Sequence, residues 1–240
     1  MQSLLGVLLV LIALPIIFRM DPRNFSPFAD LGIWRFIGEG VVTVLVVSTV
    51  AIVLSLPVAV GLAIGRLSIK AALRFPCIGA VEMIRALPLL LVIFYTFLSL
   101  PRDVPLFFTR ETVALTLALM IYTAVINAET LRAGILSLDR GQMEAARSLG
   151  LTYWQAMRYV VLPQVFRHTL PSLIAQFTTL VKDTSLGSTI AMVELLQRGV
   201  IIYQGFRNPL ETLYVIGLVY FAINALLEQL SIAVEKRTSS

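Results

Sequence analysis

From Val41 to Gly65 the chain carries no charged side chain. A helix needs about 20 apolar residues to cross the hydrocarbon core of a bilayer, and this run supplies them. Residues 112–126 and 212–227 are likewise uncharged, and in 76–100 only Glu82 and Arg85 interrupt the pattern. Charged residues make up 14% of the 240-residue chain, against about a quarter in a soluble domain, and mean hydropathy is +0.89. The solvent for such a chain is lipid. Lipid cannot hydrogen-bond a backbone, so spanning segments are helices or closed barrels. No period-two alternation appears, and the reading is an all-α membrane protein.

The runs predict five core spans, at about 36–65, 76–100, 111–134, 166–184 and 211–233, with a long loop over 135–165. Residues 4–18 are apolar but lack the basic start and small-residue cleavage site of a secretory signal. They read as an extra crossing or an interfacial helix. The stretch 21–30, with two prolines and two aspartates, breaks any helix and separates this segment from the core. Residues 1–35 thus form an N-terminal segment and connector, 36–237 the transmembrane domain and 238–240 a tail.

Lysine and arginine in short loops set orientation. Arg66, Lys70 and Arg74 follow the first core span with no acid among them, whereas Arg102 and Arg110 in the next loop are offset by Asp103 and Glu111. The first of these loops is expected on the cytoplasmic side. Arg140, Arg147 and Arg158 in the long loop, and Lys236 and Arg237 at the C-terminus, then fall there too. Arg19, Arg23 and Arg35 fall on the outer side in this scheme; the three concordant core segments outweigh them.

Several kinds of chemistry are excluded. Net charge is +5, but its basic residues lie between hydrophobic runs, where they face anionic lipid, so no nucleic-acid partner is expected. Cys77 and His168 are the only residues of their kinds, which rules out an internal disulfide and a paired-histidine zinc site. No metal site is expected. No Gly-x-Ser sequence is present for a serine hydrolase, and no Gly-Lys dipeptide for a phosphate-cradling ATPase loop. Any ATP-driven work needs a partner chain.

The long loop has internal order. Asp139 with Gln142, and Thr152 with Gln155, have capping-box spacing, and Gly150 suits the left-handed position that ends a helix. Two short helices are expected to meet at Gly150. The first would show small alanines, Ala145 and Ala146, beside Glu144 and Arg147. That is either an ordinary loop helix or a rigid peg seated in another protein's groove.

Glu144-Ala145-Ala146, three further residues, Gly150, and then Leu162-Pro163 resemble the EAA loop of permeases in binding-protein-dependent ABC importers. Val160 stands where that pattern usually has isoleucine. Glu82-Met83-Ile84-Arg85-Ala86-Leu87-Pro88-Leu89-Leu90, Ala128–Ile135 and Lys182–Leu186 are similar to stretches of the polar amino acid branch. Ile121–Ile126 departs from the usual Asn/Ser-x-Ala-Tyr lead-in. The resemblance covers about residues 36–237. It implies a type I ABC importer permease fold of five core helices and a bacterial inner-membrane location with the C-terminus cytoplasmic. It also implies a dimer of ATPase subunits, a second permease subunit (same or sister chain), an external solute-binding protein and an amino acid substrate. No cofactor is implied in this chain, ATP and magnesium belonging to the ATPase. Coupling to the ATPase is expected through contact at Glu144, Ala145, Ala146 and Leu149, with Gly150 setting the turn that holds the helix away from the bilayer. The alternative is a secondary transporter or channel for a small polar solute, which would need no peg and for which no inverted repeat appears.

Charges inside spans must pair, face water or sit at a boundary, since an unpaired one costs at least a few kcal/mol. Glu129 with Arg132, and Glu82 with Arg85, have the spacing of helix pairs, and structural pairing is expected. Lys182, Asp183, Thr184 and Ser185, followed by Gly187, read either as a hydrated substrate passage or as another structural group.

Overall fold

A computed structural model describes residues 20–102 and 108–238. Residues 4–18, Arg19 and Asp103 lie outside the described residues, and the expectation of an extra N-terminal crossing falls there. The described residues form helices and no strand.

A 3-10 segment, Pro22–Ala29, opens the chain, and Asp30 caps the helix that follows by accepting from the Gly32 N–H at 2.8 Å. That helix, α1 (Leu31–Arg66), has 36 residues, or about 54 Å, and overreaches a hydrocarbon core of about 30 Å. Its buried face is a stripe of mostly small residues, Gly40, Val44, Ser48, Ala51, Ser55, Ala59 and Ala63. Small residues let helix backbones approach closely in lipid. Through Ala51, Ser55, Ala59 and Ala63 the stripe packs against α4 (Arg110–Ser137), which answers with Ala114, Ala118, Ala124 and Ala128. The Asn127 side-chain amide, buried in this contact, donates to Ser55 Oγ at 3.3 Å.

The expected span over 76–100 is two helices, α2 (Ala71–Ala86) and α3 (Leu89–Ser99), bent by 105°. Pro88 explains the break. A residue before proline is driven out of the helical region, and Leu87 is extended at φ −89°, ψ 138°. Alone, the 11 residues of α3 extend only about 16 Å, so the bent pair together makes one candidate span.

The expected span over 166–184 is also revised. After α5 (Arg140–Ser148), helix starts at α6 (Tyr153–Ala156), widens into a π turn over Met157–Val161 and continues as α7 (Leu162–Asp183). The wide turn lies where Pro163, lacking an N–H, cannot donate to the carbonyl of Tyr159. A 3-10 stretch, Thr184–Ile190, follows, and then a helix the sequence reading missed, α8 (Leu195–Phe206), bent by 49° from the helix before it. The last helix is α9 (Pro209–Thr238). Among the described residues three helices, α1, α4 and α9, are long and apolar enough to span, and each bent pair adds one more, giving up to five spans there.

The two ends of the bundle are distinct. At one end the Pro22–Ala29 segment is tied to the α8–α9 turn. Glu211 Oε1 accepts from the Asp21 N–H at 3.1 Å and from Asn24 Nδ2 at 3.0 Å, and Asn208 Nδ2 donates to the Asn24 carbonyl at 2.7 Å. Arg23 and Arg35 lie at this end. Arg66, at the far end of α1, pairs with Glu129 near the end of α4 that leads to α5. The loop carrying Lys70 and the loop over 138–152 therefore share the opposite end.

Candidate functional site

The peg forms as two capped helices around one left-handed residue. Gly150 has φ +85°, a conformation in which side chains with a Cβ are strained. The Gly150 N–H donates to the Arg147 carbonyl at 3.0 Å and that of Leu151 to Ala146 at 3.3 Å, closing the end of α5. Thr152 and Gln155 complete the expected reciprocal capping box, at 3.3 Å and 2.8 Å. Asp139 and Gln142 do not. Asp139 Oδ1 accepts instead from the Gly141 N–H at 2.8 Å, while Gln142 Oε1 is drawn away to accept from Gln164 Nε2 on α7 at 3.2 Å.

Glu144, Ala145 and Arg147 are exposed, and Leu149 projects at 84% exposure. Ala146 differs from expectation: it is 4% exposed, because α5 rests this face on the Tyr153–Val161 turn of its own chain. Its methyl belongs to the seat of the peg, not its outer surface.

In the region of α7 read as a passage, the four residues separate. Lys182 is exposed and Asp183 and Ser185 half-buried. Thr184 is fully buried, its hydroxyl donating to the Val181 carbonyl at 2.7 Å, so it turns away from the exposed face. The Ser185 hydroxyl donates to the Lys182 carbonyl at 2.7 Å. Among the described residues no ion pair joins Lys182 to Asp183. Thr179 and Thr189 extend the exposed polar face on either side.

Glu129 and Arg132 pair at 3.2 Å. Glu82 and Arg85 do not: both are exposed on α2, and no ion pair joins them among the described residues. Spacing on a helix permits a pair, but only packing around it holds two long side chains together, and α2 leaves this face uncovered.

Two polar features escaped the sequence reading. Arg66 joins Glu129 from α1; in sequence it was one basic loop residue among three. Glu194, 0% exposed, caps α8: its carboxylate accepts from the Leu196 and Gln197 N–H groups, both at 2.8 Å, and from the Tyr220 hydroxyl of α9 at 2.9 Å. A lone acid between apolar residues was its only signal.

This architecture has counterparts. The chain of a crystal structure described as an amino acid ABC transporter with histidines aligns at a TM-score of 0.77 and 26% identity, over 91% of this chain and 99% of that one. In sequence, the probable glutamine ABC transporter permease protein GlnP of Bacillus subtilis (strain 168) is 42% identical over 149 residues, which are 60% of this chain and 66% of that protein. The glutamate/aspartate import permease protein GltK of Escherichia coli O6:H1 is 30% identical over 207 residues, covering 84% of this chain and 92% of that one. Residues 51–240 match the family described as the binding-protein-dependent transport system inner membrane component. That stretch holds the peg, the bent spans and the capped break before α8, and the chain belongs to this family of ABC importer permeases.

Proposed function

We propose that this chain imports polar amino acids of the glutamine and glutamate group across the bacterial inner membrane, as one of two permease subunits. The peg faces the cytoplasm and docks on a separate ATPase, an external binding protein delivers substrate, and the C-terminus is cytoplasmic. ATP and magnesium stay on the ATPase, since this chain has no Gly-Lys phosphate loop. The observation that carries the reading is the peg: an exposed Leu149 beside Glu144 and Ala145, aimed by the left-handed Gly150. Its surface is built for a partner, and the relatives named above are permeases of amino acids of this group.

The test is reconstitution with the ATPase and binding protein in proteoliposomes, followed by uptake of labelled glutamine, glutamate, histidine and arginine. Glutamine or glutamate should be taken up in preference. Ala145→Leu should force the docked surfaces apart, at about 1–3 kcal/mol for overpacking. Gly150→Val should misdirect the peg, because a β-branched residue resists positive φ. The space around Gly150 is open, so only the backbone conformation is challenged. Both variants should assemble and lose substrate-stimulated hydrolysis. Wild-type stimulation in both would overturn the coupling role, and preference for histidine or arginine would overturn the substrate class.

A further inference from the structure

Arg66 is the last residue of α1, and its guanidinium meets Glu129 of α4, which Arg132 also holds, at 3.2 Å. The three side chains are 13%, 24% and 31% exposed. Enough water reaches them for the contact to break and remake, yet too little for an unpaired charge to be harmless.

Position gives this group its consequence. Glu129 lies eight residues before Ser137, where α4 ends, so about 12 Å of unbroken helix separates it from the start of the peg. A push on the peg is carried up α4 as up a rod. Around this level α1 and α4 otherwise meet through Ala59, Ala63, Ala128 and Leu131, a smooth surface on which one helix can slip past the other. The neighbouring Gly65 lies against Cys77 of α2, so the end of α1 that carries Arg66 also packs on a third helix.

We propose that Arg66, Glu129 and Arg132 are positioning residues for energy coupling, an ionic staple that makes α1 follow α4 when the peg is displaced. The staple touches neither substrate nor ATP. It decides whether movement of the peg reaches α1 or is lost as slip between α1 and α4. The inference rests on the reading of residues 139–150 as the coupling element.

The test uses the full complex of permease, ATPase and binding protein in proteoliposomes and reads substrate transported per ATP hydrolysed. Glu129→Gln and Arg66→Met should lower that ratio by about 2- to 30-fold, the range for residues that carry coupling without touching a ligand. Glu129→Asp keeps the charge but withdraws it by one methylene, so it keeps the protein assembled where a neutral variant does not, and it should lower the ratio less. The double exchange Arg66→Glu with Glu129→Arg restores opposite charges across the gap and should recover most of the ratio. A wild-type ratio in Glu129→Asp and in every single variant that assembles, or a double exchange no better than the singles, would overturn the staple. Gly150→Val in the same assay separates the two ideas. If it uncouples while the staple variants do not, only the staple fails; if it stays coupled, the peg reading falls first.

Discussion

Replacing Glu194 by alanine removes a carboxylate that serves three donors in a fully buried site. The Leu196 and Gln197 N–H groups, at the unsatisfied start of α8, and the Tyr220 hydroxyl would be left without an acceptor. Each stranded buried donor costs about 1–3 kcal/mol, and relaxation or an entering water offsets part of the sum. A net loss of about 3–5 kcal/mol follows. For a chain of this length that corresponds to a fall of order 10 °C in melting temperature. Glu194→Gln should lie between alanine and wild type, since one oxygen still accepts while the new amide hydrogens oppose donors. Tyr220→Phe should do least, because the two backbone bonds survive. Thermal stability of the detergent-purified complex, followed by loss of its monodisperse size-exclusion peak, measures all three. Glu194→Ala within about 2 °C of wild type, or a reversed order among the three, would show that the carboxylate does not hold α8 to α9.

Gly40 packs on the same helix start: a Cβ there would lie 2.9 Å from Leu195 Cα and 2.9 Å from Arg198 Cδ. Gly40→Val should therefore wedge α1 from α8 at about 1–3 kcal/mol and lower the yield of assembled protein. Gly38→Val, with nothing within 4 Å, should leave the yield unchanged; equal yields for the two would refute the close approach. On the exposed face of α7, Lys182→Gln and Asp183→Asn should each reduce uptake about tenfold, the loss of one charge-assisted contact, while the complex still assembles. Unchanged uptake kinetics in both variants would remove this face from the passage.

What the sequence made legible was local. Thr152, Gln155 and Gly150 state their turn within a few residues, and the structure repeats it. The break at Pro88 was also written locally, but the mostly apolar run over 76–100 masked it, because hydropathy alone does not distinguish a straight span from a bent one. Which side of α5 faces inward was not legible. Packing on the 157–161 turn buries Ala146 and leaves Ala145 out, and nothing in two adjacent alanines announces that choice. Partnerships across the bundle were hidden for the same reason. Glu129 suggested Arg132, one turn away, but not Arg66 on another helix. Glu194 suggested nothing until folding brought Tyr220 and the bare start of α8 to it.

These long-range ties are unevenly distributed along the bundle. Toward one end, Arg198 Nη1 donates to Glu39 Oε2 at 2.8 Å and to the Phe36 carbonyl at 3.0 Å, joining α8 to α1. Glu194 joins α8 to α9, and Glu211 and Asn208 join the N-terminal segment to the turn before α9. Toward the other end, Arg66 and Glu129 join α1 to α4, while Gln142 and Gln164 join the peg to α7. Between these braced regions lies Thr184–Val193. Among the described residues its side-chain hydroxyls donate to carbonyls within the stretch or just before it, and Leu186, Ile190 and Met192 pack it on other helices through apolar contact. Apolar surfaces slide more readily than ion pairs break, so relative movement of the two regions would concentrate there. The left-handed Ala191, at φ +58°, closes the 3-10 turn of that stretch. The three-donor cap at Glu194 begins where that stretch ends, so α8 is braced from its first turn.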